Sequence, residues 1–173
     1  PKANPLPPSA TAPNAAAGGS GIVANGNASV IHAGQATGGF AGGSTSEVDR
    51  APAIALHNGG NTLELNAGYT LTGNVVSDSG SGATGDTLAL GGTVSAAFDL
   101  SQLGDSAKFR GFAGLRKSGS STWTVTGDSA FDGPLTVAEG TLEMNGRLTA
   151  SAVAVNAGTL TGVGQVGAML NAG

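Results

Sequence analysis

The chain has 173 residues, 31 of them Gly, with no Cys, 10% charged residues, 4% aromatics and a formal net charge of −4. Zero Cys excludes disulfides and thiolate metal sites. The acidic balance with seven scattered Lys and Arg excludes the basic patch that nucleic-acid binding needs. No run of about 18 apolar residues is present to cross a membrane as a helix. A 39% hydrophobic fraction is nonetheless too high for a wholly disordered chain.

Residues 1–20 hold five of the seven prolines, set among Ala, Ser and Gly. Such a segment buries too little apolar surface to offset its ordering entropy, so it is expected to be a disordered linker. Pro1 is an uncommon natural start and no signal peptide follows, so the chain is expected to be an excised piece. From residue 21 onward short apolar runs alternate with Gly, Asn and Ser. Gly21-Ile22-Val23-Ala24 and Ala28-Ser29-Val30-Ile31 are the first. Residues 34–50 are expected to form a Gly/Ser/Thr-rich loop with little to bury.

A phrase then recurs. It is Asn61-Thr62-Leu63-Glu64-Leu65, Asp86-Thr87-Leu88-Ala89-Leu90, Ser121-Thr122-Trp123-Thr124-Val125, Gly140-Thr141-Leu142-Glu143-Met144 and a truncated Gly158-Thr159-Leu160-Thr161-Gly162. Its Thr residues are spaced by 25, 35, 19 and 18, two of them within the 20–50 residue range of stacked repeats and two just below it. Alternating apolar positions indicate strands with one buried face. The copies are expected to stack in register, with Leu88/Leu90, Trp123/Val125 and Leu142/Met144 above Leu63/Leu65. A second strand type is expected at Thr70-Leu71-Thr72, Gly92-Thr93-Val94, Leu135-Thr136-Val137 and Val153-Ala154-Val155. The longest gap, between Thr87 and Thr122, leaves room for an excursion within 95–112. The best helical candidate, Leu100 to Phe109, is broken by Gly104. Short strands joined by tight turns close no core alone; stacked, they bury a continuous apolar column. The fold expected for residues 21–173 is therefore all-β, a β-solenoid.

Motifs that suggest chemistry fit this frame poorly. Gly80–Gly85 and Gly162–Gly167 match a dinucleotide fingerprint, but that site needs a helix after the glycines, and Thr87–Leu90 reads as a strand. Gly85-Asp86 resembles one turn of a calcium-binding nonapeptide, which needs tandem copies; Asp86 is expected to bond local backbone N–H groups in a turn. Gly127-Asp128-Ser129 echoes a lipase motif but has no histidine downstream. His32 and His57 are not spaced as a metal pair and are expected at exposed strand ends. The pairs Asp78/Asp86 and Asp99/Asp105 could suggest a polysaccharide-cleaving groove, but are expected to be solvated loop carboxylates. Trp123 is expected in the core and not as a sugar-stacking platform. No catalytic, cofactor or metal residue is assigned, and the chain is expected not to be an enzyme.

From residue 59 on, the sequence resembles the autotransporter-associated β-strand repeat family of type V secretion. The resemblance rests on Leu115, Lys117, Gly119, Thr122, Trp123, Val125, Gly127, Phe131, Gly133, Leu135, Val137, Gly140, Thr141 and Leu142. It continues through Gly146, Leu148, Ser151, Val153, Val155, Gly158, Thr159, Leu160, Gly162, Gly164, Val166 and Gly167. Ser121 and Ala157 depart from the family's glycines at turn positions. The resemblance implies a right-handed parallel β-helix within the passenger of an autotransporter. Such a passenger is exported across the bacterial outer membrane by a C-terminal β-barrel of the parent chain, to the cell surface or beyond. It implies an adhesin or structural stalk, with a host-cell or neighbouring-cell surface component as partner. Its rival is a spacer for a protease or lipase domain elsewhere in the parent. The Gly-rich end near Gly173 shows no polar cap, so weak self-association through a helix end is expected.

Overall fold

The computed structural model describes residues 16–80, 82, 84–148 and 152–170. They form a parallel β-helix. The first coil holds β1 (Ile22–Asn25), β2 (Ser29–His32) and β3 (Gln35–Thr37). The second holds β4 (Ile54–His57), β5 (Thr62–Leu65) and β6 (Thr70–Thr72), and the third β7 (Val75–Ser77), β8 (Thr87–Leu90) and β9 (Ala96–Asp99). The fourth holds β10 (Phe109–Arg110), β11 (Gly114–Lys117), β12 (Thr122–Thr126) and β13 (Asp128–Ser129). Then come β14 (Leu135–Val137), β15 (Thr141–Met144) and β16 (Arg147–Leu148), followed by β17 (Val153–Val155), β18 (Thr159–Thr161), β19 (Gln165–Val166) and β20 (Met169–Leu170).

The seven-stranded sheet β2-β5-β8-β11-β14-β17-β20 is the spine. Its register runs Val30↔Leu63, Leu63↔Leu88, Leu88↔Leu115, Leu115↔Leu135, Leu135↔Val153 and Val153↔Met169. The partners draw closer in sequence toward the C-terminal end. Sheet β1-β4-β7-β10 flanks the spine in the first four coils and ends there. Sheet β9-β12-β15-β18 starts in the third coil and sheet β13-β16-β19 in the fourth, while β3 pairs only with β6. Every named strand pair is parallel. Alternation points Leu63, Leu65, Leu88, Leu90, Leu115, Leu135, Val137 and Val153 inward, where they form one buried column. Phe98 and Phe109 meet edge to face inside it, ring centroids 5.3 Å apart.

The recurring phrase is shared between two sheets. β5 and β8 stack as expected, but β11, not β12, lies on β8. Trp123 sits in the other sheet, between Ala96 and Leu142. The phrase marks a strand that follows a tight turn, and each coil has more than one such strand, so Thr spacing mixes two faces. The long gap between Thr87 and Thr122 is consequently a change of sheet. The expected excursion shrinks to the link between β9 and β10, because 96–99 and 109–110 belong to ladders. A 3-10 turn, Leu100–Gln102, opens that link. Of the second strand type, Leu71, Leu135 and Val153 lie in strands. Gly92-Thr93-Val94 does not, and Val94 is 65% exposed, because the chain is turning a corner there with Gly92 at φ +78°.

Residues 34–50 are not wholly loop. Gln35–Thr37 pairs with β6 and buries Ala36. Beyond it, Arg50 caps the Phe40 ring at 3.9 Å and pairs with Glu47 at 2.7 Å. Residues 1–15 of the expected linker lie outside the described residues. Residues 16–20 are hydrogen-bonded to the loop after β3, through Gly39 N–H to Gly19 O and Gly42 N–H to Ala16 O.

Trp123 is fully buried, stacks on Tyr69 at 6.4 Å and donates its indole N–H to Gly91 O at 2.9 Å. Trp123→Ala removes this packing and one of the two side-chain hydrogen bonds to Gly91 O, so it is expected to cost about 3–5 kcal/mol by urea unfolding. Wild-type Trp emission is expected to be blue-shifted and protected from quenchers. Emission like that of the free amino acid contradicts the placement.

Candidate functional site

The residues singled out from the sequence are dispersed. His57 and Asp78 hydrogen-bond at 2.5 Å across two coils on an exposed corner. The bond to His57 holds the Asp78 carboxyl below the usual carboxylate range. The nearby Ser77 and Ser79 hydroxyls bond to each other at 2.8 Å. His32 is not exposed as expected. It lies two residues beyond the inward Val30, so alternation turns it in, to 6% exposure, with Nε2 unpartnered. The two histidines sit at the ends of different strands, and the described residues contain no cluster of three metal-ligating side chains.

Asp86 also departs from expectation. It is neither solvated nor bonded only locally: it is 0% exposed and serves the coil before its own. Asn61 donates to Asp86 Oδ1 through its backbone N–H at 2.8 Å and its amide at 2.9 Å. Asn61 Oδ1 in turn accepts from Ala28 N–H at 3.0 Å. The polar column thus binds three successive coils at the corner where each chain enters the spine. Asp86 Oδ2 has no partner. Asp99 is half-buried and caps the 3-10 turn through Ser101 N–H at 2.9 Å; hydrogen bonding from Ser101, its hydroxyl first and then its N–H, holds the carboxyl below the usual carboxylate range. The other chemistry-bearing motifs resolve into ladder geometry. Strand β8 follows Gly80–Gly85, β19 lies within Gly162–Gly167, and Ser129 is buried in β13 with its hydroxyl on Leu103 O at 2.6 Å.

Lys117 is a functional group that residue type alone does not reveal. It is 0% exposed, inward-facing between Leu90 and Val137. Its ammonium donates to the carbonyls of Ser118 at 2.5 Å, Gly119 at 2.7 Å and Glu139 at 3.4 Å, tying two coils at their next corner. Desolvation lowers its pKa from 10.5, against the opposing pull of Glu139 and Glu64. The signal is present in the sequence: in Leu115-Arg116-Lys117 alternation forces the Lys to the same face as the Leu.

One concavity is a groove of about 500 Å³. Phe109, Phe112 and Phe131 line it together with Asp105, Ser106 and Asp132. The aromatics are core residues that reach its wall, and both carboxylates are exposed. It lies where sheet β1-β4-β7-β10 stops and β13-β16-β19 begins, and is assembled from separated loops that no local motif joins.

Two outcomes test the polar interior. Asp86→Ala strands the Asn61 donors and is expected to lower stability by about 1–3 kcal/mol, with Asp86→Asn losing clearly less because it keeps an acceptor. For Lys117, the folded pKa lies below the unfolded value, so between the two the unfolded chain binds more protons and stability rises with pH. The urea midpoint of the wild type is therefore expected to gain on that of Lys117→Met as pH is raised from about 8 toward 10. A pH-independent difference contradicts a buried ammonium.

No curated protein and no solved structure matches the chain. Residues 115–144, which run from β11 to the end of β15, match the family model of the passenger-associated-transport-repeat, and this stretch is consistent with a repeat of an autotransporter passenger.

Proposed function

We propose that this chain is a β-helical passenger segment of a bacterial autotransporter, displayed at the cell surface or secreted, where it acts as a structural stalk or adhesin. The observation that carries this is the passenger-repeat match over residues 115–144. It falls where the coils have already become short, at Leu115↔Leu135 in the spine. The internal polar groups support the same reading: Asn61, Asp86, Lys117 and Ser129 each make a hydrogen bond to a neighbouring coil. Their contribution is to shape and stacking order, as a stalk requires.

The test places the chain between a signal peptide and an autotransporter barrel in a bacterial host. Display is expected, read as a tag N-terminal to the chain that external protease removes from intact cells. Retention in the periplasm contradicts the passenger reading. Adhesion is read separately, as attachment of displaying cells to epithelial monolayers and to one another. Attachment clearly above that of cells displaying the barrel alone supports the adhesin role. Equal attachment leaves the stalk role, including that of spacer for another domain.

A further inference from the structure

We propose that the N-terminal end of the β-helix is a self-pairing surface, on which a second copy of this chain docks with β2 antiparallel to its own counterpart. That end is open. β1, β2 and β3 are each the last strand of their sheet. Their coil is bonded to the second coil, as from Ile22 N–H to Ala53 O at 2.9 Å, Thr62 N–H to Ala28 O at 2.8 Å and Thr70 N–H to Gly34 O at 2.7 Å. Among the described residues no strand and no isolated bridge pairs with their opposite edges. Inward Ile22 and Val30 are only partly buried, whereas their ladder partners Ile54 and Leu63 are fully buried. On the outer face Val23 and Ile31 are 53% and 66% exposed. Strand edges are commonly guarded by charge or proline. Residues 14–46 contain no Asp, Glu, Lys, Arg or Pro. The first charges after them, Glu47, Asp49 and Arg50, are bonded within their own loop. Nothing at this end repels an identical copy.

Shape selects the occupant. At the C-terminal end the sheets are different: β1-β4-β7-β10 and β3-β6 have ended, β9-β12-β15-β18 and β13-β16-β19 have begun, and only the spine runs through. A head-to-tail contact therefore matches one sheet out of three. Two N-terminal ends match by symmetry, and a two-fold contact closes as a dimer instead of growing into a filament. Directly opposed antiparallel residues share a face, so inward side chains meet inward ones when the pairing centres on a residue. Val30, the middle of residues 28–32, then faces its own copy. Residues 1–15 suit the edge less well, because Pro5, Pro7, Pro8 and Pro13 bring no N–H to a ladder. The pair leaves its two C-terminal ends pointing apart. On the adhesive reading of the passenger it joins facing cells, not neighbours on one surface. The pairing itself does not rest on that reading, and it is tested in solution, so its failure is separable from a failure of display.

The 15N-labelled chain is followed by sedimentation equilibrium and by amide chemical shifts from about 10 μM to about 2 mM, and a monomer–dimer equilibrium with a dissociation constant of roughly 0.1 mM is expected. Concentration-dependent shifts are expected at residues 22–37 and absent at residues 153–170. Ile31→Lys sets like charges against each other across the pair and is expected to weaken dimerisation at least about tenfold. Val163→Lys, at a 91% exposed position in the last coil, is expected to leave it unchanged. Unchanged far-UV circular dichroism and Trp emission check that both variants fold, and the location of the wild-type shifts decides the matter independently of them. The proposal is overturned by a monomer at about 2 mM, by Ile31→Lys dimerising as tightly as the wild type, or by shifts confined to residues 153–170. Species that grow beyond a dimer and vanish in Val163→Lys also overturn it, since the contact would then be head to tail. Nuclear Overhauser contacts between residues 1–15 and β2 in the dilute chain do so as well, since the edge would already be covered.

Discussion

Every feature of this molecule depends on the parallel ladder, in which each coil finds its backbone partners on the coil before it. The ladder satisfies the N–H and C=O groups of most strand residues without side chains, which is how a chain so poor in charge and aromatic residues folds at all. It also transmits constraint. A side chain that points inward in one coil must pack on the inward side chain one strand spacing away, about 4.8 Å. Leu63, Leu88, Leu115 and Leu135 are neighbours because the backbone places them so, although they are far apart along the chain.

The corners are where the ladder needs help, and the molecule uses two devices there. One is close glycine stacking. Gly92, Gly119 and Gly140 have φ of +78°, +64° and +64°, and a Cβ on Gly119 would lie 2.4 Å from Gly92 O. The other is a polar side chain turned inward to serve an adjacent coil: Asn61 and Asp86 at one corner, Lys117 and Ser121 at another. Ser121 donates its hydroxyl to Gly91 O at 3.0 Å and so supports the corner. Burying an ammonium or a carboxylate is costly unless several bonds compensate, and these groups occur only where backbone carbonyls or N–H groups converge.

Alternation and turn residues make the strands legible. The interior positions of Leu63, Leu88, Trp123 and Leu142 follow from period two alone. What alternation cannot report is which sheet a strand joins, because sheets share one chemistry. The pattern therefore aligns Trp123 with Leu88, when its ladder neighbours are Ala96 and Leu142. Polar residues mislead for a related reason. By residue type His32, Asp86 and Lys117 read as exposed, solvated or unremarkable, although their place in the alternation or beside a strand start turns them inward. The groove is invisible in the sequence for a third reason: Asp105, Phe112 and Asp132 come together only through stacking of loops from different links.

Along the spine the later coils use less chain than the early ones, from Val30↔Leu63 at one end to Val153↔Met169 at the other. Each coil advances the stack by the same strand spacing however much chain it contains. Material per unit of length is therefore greater in the first coils than in the last. The early coils spend their surplus on lateral loops such as those after β3 and β9, which enlarge the contour available for contact. The later coils spend nearly everything on axial extension. One fold thus grades from a broad, surface-rich end to a lean, length-building end, with the groove at the transition between them.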